Sequence, residues 1–268
     1  MTVRIAFRDA PLARSGFKDF KTMPTLHRLP APSKSWLPRV VAVAGATAIA
    51  AMVLGGGALA GGAPPVKAPP PAYDPPVTGH VLQTAVLAGG CFWGLQGVYE
   101  HVRGVKQVLA GYSGGSAATA HYEMVGTETT GHAETVKITY DPAQISYGEI
   151  LRIYFSVATD PTQLNKQFPD QGSSYRGDIF YMSPEQKTIA ARYIAQLTAA
   201  HIYHRPIVTR LDPYPGFYKA EAYHQNYLVD HPDAGYIAAY DLPKVAALKT
   251  LLPADYRAKP VIVGPAAV

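Results

Sequence analysis

The chain has 268 residues, 48% of them hydrophobic and 16% charged, which suits one or two folded domains and excludes wholesale disorder. Its net charge of +5 is unevenly spread: residues 1–60 hold eight Lys/Arg against two Asp/Glu, leaving sixteen against seventeen in residues 61–268. The body is therefore near neutral and offers no electrostatic footprint for nucleic acid.

Behind Lys34 and Arg39, residues 40–60 run without a charge through Val40 and Leu54 to Gly55-Gly56-Gly57 and Ala58-Leu59-Ala60. A basic flank, an apolar core and a small-residue exit predict a secretory signal, while about 21–24 apolar residues would also span a bilayer. Cleavage is favoured over anchoring because Gly and Ala dominate the stretch. The basic region is long when counted from Met1, so either Met23 is the start or the segment stays as an anchor. Residues 1–60 are thus read as signal peptide or membrane anchor, with the rest exported: periplasmic, or membrane-held outside the cytoplasm. Residues 61–80 carry seven prolines and predict an extended linker that acts as a spacer. The folded domain is expected over 81–258, with 259–268 as a tail.

Residues 84–88 read as a buried strand, and Gly89-Gly90 as the tight turn that launches a helix. Cys91 falls at that helix's first turn. Phe92, Leu95, Val98, Tyr99 and Val102 recur at helical spacing until Gly104. A strand over 105–110 leads to a glycine-rich loop. Residues 134–140 alternate, with Val136, Ile138 and Tyr140 on one face and Thr135, Lys137 and Thr139 on the other. Ser146 and Glu149 form a capping box for a helix to about residue 156. Residues 160–176 lose all hydrophobic period, as long functional loops do. A strand over 178–181, a helix from Ser183-Pro184 to about residue 200, a strand over 207–211 and a short helix over 243–252 complete the chain. The order β-α-β-β-α-β predicts an α+β fold, a ferredoxin-like two-layer sandwich (split βαβ) with C-terminal additions.

The single cysteine, Cys91, excludes an intramolecular disulfide. It is either a small buried hydrophobe or a nucleophile whose pKa the helix N-terminus depresses. Phe92 belongs to the apolar stripe; Trp93 does not, and reads either as a pocket wall or as an ordinary half-buried Trp. Glu134 lies on the apolar face of its strand, where a carboxyl loses hydration and holds its proton, as a general acid must; a strand end open to solvent is the alternative. His132 could instead activate Cys91 as in thiol hydrolases, although no orienting carboxylate adjoins it. His201 and His204 lack a third ligand for a metal. The irregular segment supplies Asp170 and Tyr175, and the earlier loop Tyr112 and Tyr122, phenols able to donate to an uncharged acceptor.

Gly90-Cys91-Phe92-Trp93-Gly94, Thr130-Gly131-His132-Ala133-Glu134, Asp160-Pro161-Thr162, Asp170 with Tyr175-Arg176, and Tyr223-His224-Gln225 together resemble the peptide methionine sulfoxide reductase A family, over nearly the whole domain. The resemblance implies a ferredoxin-like fold and reduction of methionine S-sulfoxide, free and in proteins, in repair after oxidative damage. By it Cys91 is the nucleophile that becomes a sulfenic acid, Glu134 the acid, Tyr122 and Tyr175 donors to the sulfoxide oxygen, and Asp170 part of the polar side. Phe92 and Trp93 would receive the substrate methyl group. No metal and no organic cofactor are implied, and a monomer is expected. Relatives often place a recycling cysteine directly after a Gly-Tyr pair, where this chain has Gly235-Tyr236-Ile237. The reductant is then an external thiol, thioredoxin-like or small. Ala158-Thr159 and Phe168 also depart from the family's common residues at the rim. A Cys-His thiol hydrolase or acyltransferase, and a non-catalytic envelope binding module, are the competing readings.

Overall fold

The computed structural model describes residues 64–77, 79 and 81–264. The signal or anchor reading of residues 1–60 lies outside the described residues, as do the outer ends of the linker and the last four residues of the tail. Among the described residues, no helix is long and apolar enough to cross a membrane.

The expected elements form in order: β1 (Gln83–Ala88), α1 (Phe92–Glu100), β2 (Val105–Ser113), β3 (Ala133–Tyr140), α3 (Tyr147–Ile153), β6 (Asp178–Tyr181), α4 (Pro184–Ala199), β7 (Arg210–Pro213) and α6 (Leu242–Leu251). Shorter pieces interleave with them: α2 (Tyr122–Val125), the strands β4 (Lys166–Gln167) and β5 (Asp170–Gln171), β8 (Tyr218–Lys219) and α5 (Tyr227–Asp230). The sheet runs β7-β6-β1-β3-β2-β8; its pairs are antiparallel except β6 with β7, which is parallel. Mixed sheet and helices make this an α+β fold.

The period-2 alternation in β3 has the expected result. Val136, Ile138 and Tyr140 are fully buried in the main core with Leu95, Val98 and Tyr99 of α1, each large apolar side chain contributing roughly 1.5–3 kcal/mol by burial. On the opposite face the Lys137 ammonium lies 5.1 Å from the centre of the Phe217 ring, so the lysine stem covers the sheet and its charge faces an aromatic ring. Both cap signals hold: Ser146 accepts from Glu149 N–H and Ser183 from Gln186 N–H, each at 3.1 Å.

The proline-rich segment differs from the spacer reading. Residues 64–77 are extended, but they lie docked along α3 and α4 rather than free. Lacking amide donors, prolines in extended backbone leave their carbonyls open: Pro69 accepts from Tyr193 O–H at 2.7 Å and Pro70 from Gln196 Nε2 at 2.9 Å, while Arg152 Nε donates to Ala68 at 2.9 Å. Asp74 accepts the Gly148 N–H at 3.1 Å and the Ser146 hydroxyl at the start of α3. The folded body thus begins before Val81. Asp74→Ala is expected to cost about 1 kcal/mol, as for a lost helix cap, and to lower Tm by about 2–4 °C; an unchanged melting curve would detach this strap from the stability of the domain. The tail also returns, with Val261 N–H donating to Glu100 and Val263 N–H to Asn226 Oδ1, both at 2.9 Å.

Candidate active site

Gly90 adopts a φ of +102°, and a Cβ there would fall 2.5 Å from Gln167, so only glycine both turns the chain and admits that side chain. Gln167 in turn bridges Thr159 Oγ1, at 2.7 Å, and the Asp160 N–H, at 3.0 Å. This bridge is what the departure at Thr159 builds into the rim. Cys91 follows as the N-cap residue of α1, without a side-chain cap bond. The capping task falls to Glu134: its Oε2 accepts the Phe92 N–H at 2.9 Å, tying the end of β3 to the residue beside the thiol.

Glu134 is 3% exposed, so the solvent-reaching alternative is excluded. Burial pushes its carboxyl up to about 8; the Phe92 N–H opposes this, and Asp170, Asp241 and Glu128 add to it. Cys91, 8% exposed, departs from the depressed value that its helix position suggests. Burial pushes the thiol well up, Glu134 and Asp241 push it further, and the Trp93 backbone N–H and Lys244 only partly oppose them. Desolvation of a thiolate outweighs the dipole of a nine-residue helix. The resting pair is therefore a thiol beside a carboxylic acid.

The phenols gather around this pair. Tyr175 ends the turn Ser173–Tyr175, which Glu128 fixes by accepting from the Ser173 hydroxyl at 2.9 Å and the Ser174 N–H at 2.8 Å. Tyr122 opens α2 with its N–H on Glu221 Oε1 at 3.0 Å and is 37% exposed. Both rings lie within electrostatic reach of Cys91 and Glu134, and burial raises both phenols, so they stay protonated donors. Asp170, carried by β5, accepts from the Tyr236 hydroxyl.

The apolar wall is Phe92, buried against His224 at 4.9 Å and Tyr112 at 5.8 Å between ring centres, and Trp93. The indole is stacked on Tyr227 at 3.9 Å, has Tyr236 edge-on at 6.0 Å and donates to His224 Nδ1 at 3.1 Å. Of the residues singled out from sequence, Cys91, Glu134, Tyr122, Tyr175, Asp170, Phe92 and Trp93 come together. His132 does not serve Cys91: its Nδ1 accepts from Gly115 N–H at 3.2 Å, and its Nε2 faces the Ser116 carbonyl at 2.9 Å. With both nitrogens engaged in holding the loop, His132 is not the base that a thiol hydrolase would need. Sequence reasoning missed Tyr236, Glu221, Glu128, Asp241 and Lys244; the tyrosine carried a signal in its Gly-Tyr pair, the charged residues none. Among the described residues no cluster of three His, Cys, Asp or Glu is arranged to hold a metal.

The family described as peptide methionine sulfoxide reductase matches residues 83–254. A peptide methionine sulfoxide reductase MsrA 2 of Mesorhizobium japonicum is 55% identical over 181 residues, 68% of this chain and 93% of the relative. A Synechocystis protein of the same name is 50% identical over 168 residues, 63% of this chain and 78% of the relative. The crystal structure of Mxr1 from Saccharomyces cerevisiae in reduced form is similar at a TM-score of 0.54 and 26% identity, covering 63% of this chain and 95% of that one. The chain belongs to the peptide methionine sulfoxide reductase A family.

Proposed function

We infer that this protein is a peptide-methionine (S)-S-oxide reductase that reduces methionine S-sulfoxide, free and in proteins, through a sulfenic acid on Cys91. The observation that carries this is the joined pair at the start of α1: a thiol, and beside it a buried carboxyl that keeps its proton to about pH 8 while bound to the Phe92 N–H. The Cys91 sulfur attacks the sulfoxide sulfur as Glu134 gives its proton to the oxygen; the carboxylate so formed takes up the thiol proton. The S–O bond and the newly formed S–S bond then break as the hydroxyl passes to the Cys91 sulfur, and methionine leaves. Two electrons pass from the Cys91 sulfur to the substrate, a rung of the oxidation ladder that a thiol reverses. Tyr122 and Tyr175 donate to the oxygen while its charge grows. Asp170 and Tyr236 form the polar side, and Phe92 with Trp93 the apolar side that takes the methyl group.

With one cysteine in the sequence, regeneration needs an external thiol, thioredoxin-like or small. The apolar stretch behind Lys34 and Arg39 supports export, with the catalytic domain outside the cytoplasm, periplasmic or anchored. A ferredoxin-like split βαβ core is supported by the neighbours β6-β1-β3-β2 among strands joined as β1-α1-β2-β3-α3-β6.

The test is a single turnover without reductant, using separated sulfoxide epimers. About one methionine per active site is expected from the S epimer, none from the R epimer, together with a sulfenic acid on Cys91. Methionine from the R epimer alone, or none from either, would overturn the reading.

A further inference from the structure

Where relatives often place a recycling cysteine after Gly-Tyr, this chain turns through Ile237–Asp241 into α6, which packs against α1. That turn brings Asp241 and, one helical turn on, Lys244 onto the first turn of the nucleophile's helix. The two are paired at 3.0 Å. A Cβ on Gly94 would fall 2.1 Å from Asp241 Oδ1 and 2.9 Å from Lys244 Nζ, so the pair rests on backbone that glycine leaves bare. Asp241 is fully buried, and its second oxygen, Oδ2, has no hydrogen-bond partner. A buried carboxylate left half-satisfied costs stability, and neither it nor Lys244 takes a step in the reduction.

The groups facing Cys91 from the packed elements are Glu134 from β3, Tyr122 from α2, Tyr175 from its turn, and Tyr236, Asp241 and Lys244 from the C-terminal segment; Asp170 of β5 faces Glu134 and the phenols. Near neutral pH Glu134 holds its proton and the phenols are uncharged. The charges that face the sulfur are then those of the Asp241–Lys244 pair, in which burial raises the Asp241 carboxyl and Lys244 draws it back down.

We propose that Asp241 and Lys244 are positioning residues whose ion pair, seated on Gly94, governs the reactivity of the Cys91 sulfur. This rests on Cys91 being the nucleophile. The carboxylate opposes the thiolate more strongly than the ammonium favours it, so the intact pair keeps the sulfur protonated until substrate arrives.

Alkylation by iodoacetamide tests this directly, because Cys91 is the sole cysteine of the sequence and the readout does not need sulfoxide reduction. In the full chain, Asp241→Asn is expected to raise the alkylation rate near neutral pH about tenfold and to move its pH profile about one unit toward acid, the shift that a tenfold change in thiolate fraction requires. The double variant Asp241→Asn with Lys244→Met removes both charges, and its rate should fall between the other two, below Asp241→Asn because the ammonium is gone and at least about twofold above the unaltered protein because the carboxylate is the stronger of the pair. An Asp241→Asn profile that superposes on the original, or a double variant that is no slower than Asp241→Asn or no faster than the unaltered protein, overturns the proposal. Should Asp241→Asn fail to fold by circular dichroism, Lys244→Met alone decides: a rate at least threefold lower supports the pair and an unchanged rate overturns it. The single-turnover methionine yield, measured on the same samples, reports separately on the reductase reading.

Discussion

Cys91→Ser is expected to abolish methionine formation, with a loss of at least about 10⁴-fold, as for other excised nucleophiles. A hydroxyl cannot accept the sulfoxide oxygen as a sulfenic acid, so even the single turnover without reductant should vanish. The fold should survive, since the exchange replaces one buried atom and Cys91 makes no side-chain cap bond to lose; circular dichroism and Tm check this. Mass spectrometry of the unaltered protein after one turnover should show one added oxygen on the Cys91 peptide. Methionine produced at an undiminished rate by the Ser variant would remove thiol chemistry altogether, because no second cysteine exists in the sequence.

Glu134→Gln is expected to lower kcat by about 10²–10⁴-fold with little change in substrate binding, the size of a lost general acid. Gln keeps an oxygen for the Phe92 N–H, so the start of α1 stays tied to β3 and the loss reports the proton. The pH dependence has a definite sign. A donor works in its protonated form, so kcat of the unaltered enzyme should fall as pH rises through about 8, and this limb should be absent in the variant. Stability follows the same group. Its folded value lies above the 4.5 of the exposed carboxyl, so its contribution is fully present below about pH 4.5, is lost as pH rises toward about 8, and is level beyond. The Gln variant should therefore gain stability on the unaltered protein over that window in urea titrations. Equal rates near neutral pH would take the acid role from Glu134, and a surviving alkaline limb in the variant would assign that limb elsewhere.

Local pattern made much of this legible. Strict alternation from Glu134 to Tyr140 identified both the strand and the buried carboxyl at its head, and Gly89-Gly90 before an apolar helical stripe put Cys91 at a helix start. The protonation of the thiol was not legible, because a helix terminus favours an anion only where solvent or counter-charge reaches it, and here burial with Glu134 and Asp241 decides the balance. The proline-rich strap was read as a spacer because composition describes its backbone, while its docking depends on Arg152, Tyr193 and Gln196 far along the chain. Lys244 belonged to an expected helix and Asp241 lay just ahead of it, yet only the packing of that segment on Gly94 gives them a role. Contacts between residues so far apart in the chain leave no mark in a local window.

The glutamine of Tyr223-His224-Gln225 has one more effect. Its side-chain amide behaves as an extra strand residue beside β2, with Oε1 accepting the Ala110 N–H and Nε2 donating to the Ala110 carbonyl, each at 3.0 Å, next to β8 on Gly111 and Tyr112. The peptide groups of Ala110 are thus spoken for within the molecule. A reductase that meets damaged, partly unfolded polypeptides is surrounded by chains in search of a strand to pair with, and at this point its sheet margin is closed to them. The glutamine that follows His224 of the aromatic wall thereby closes one stretch of the sheet margin.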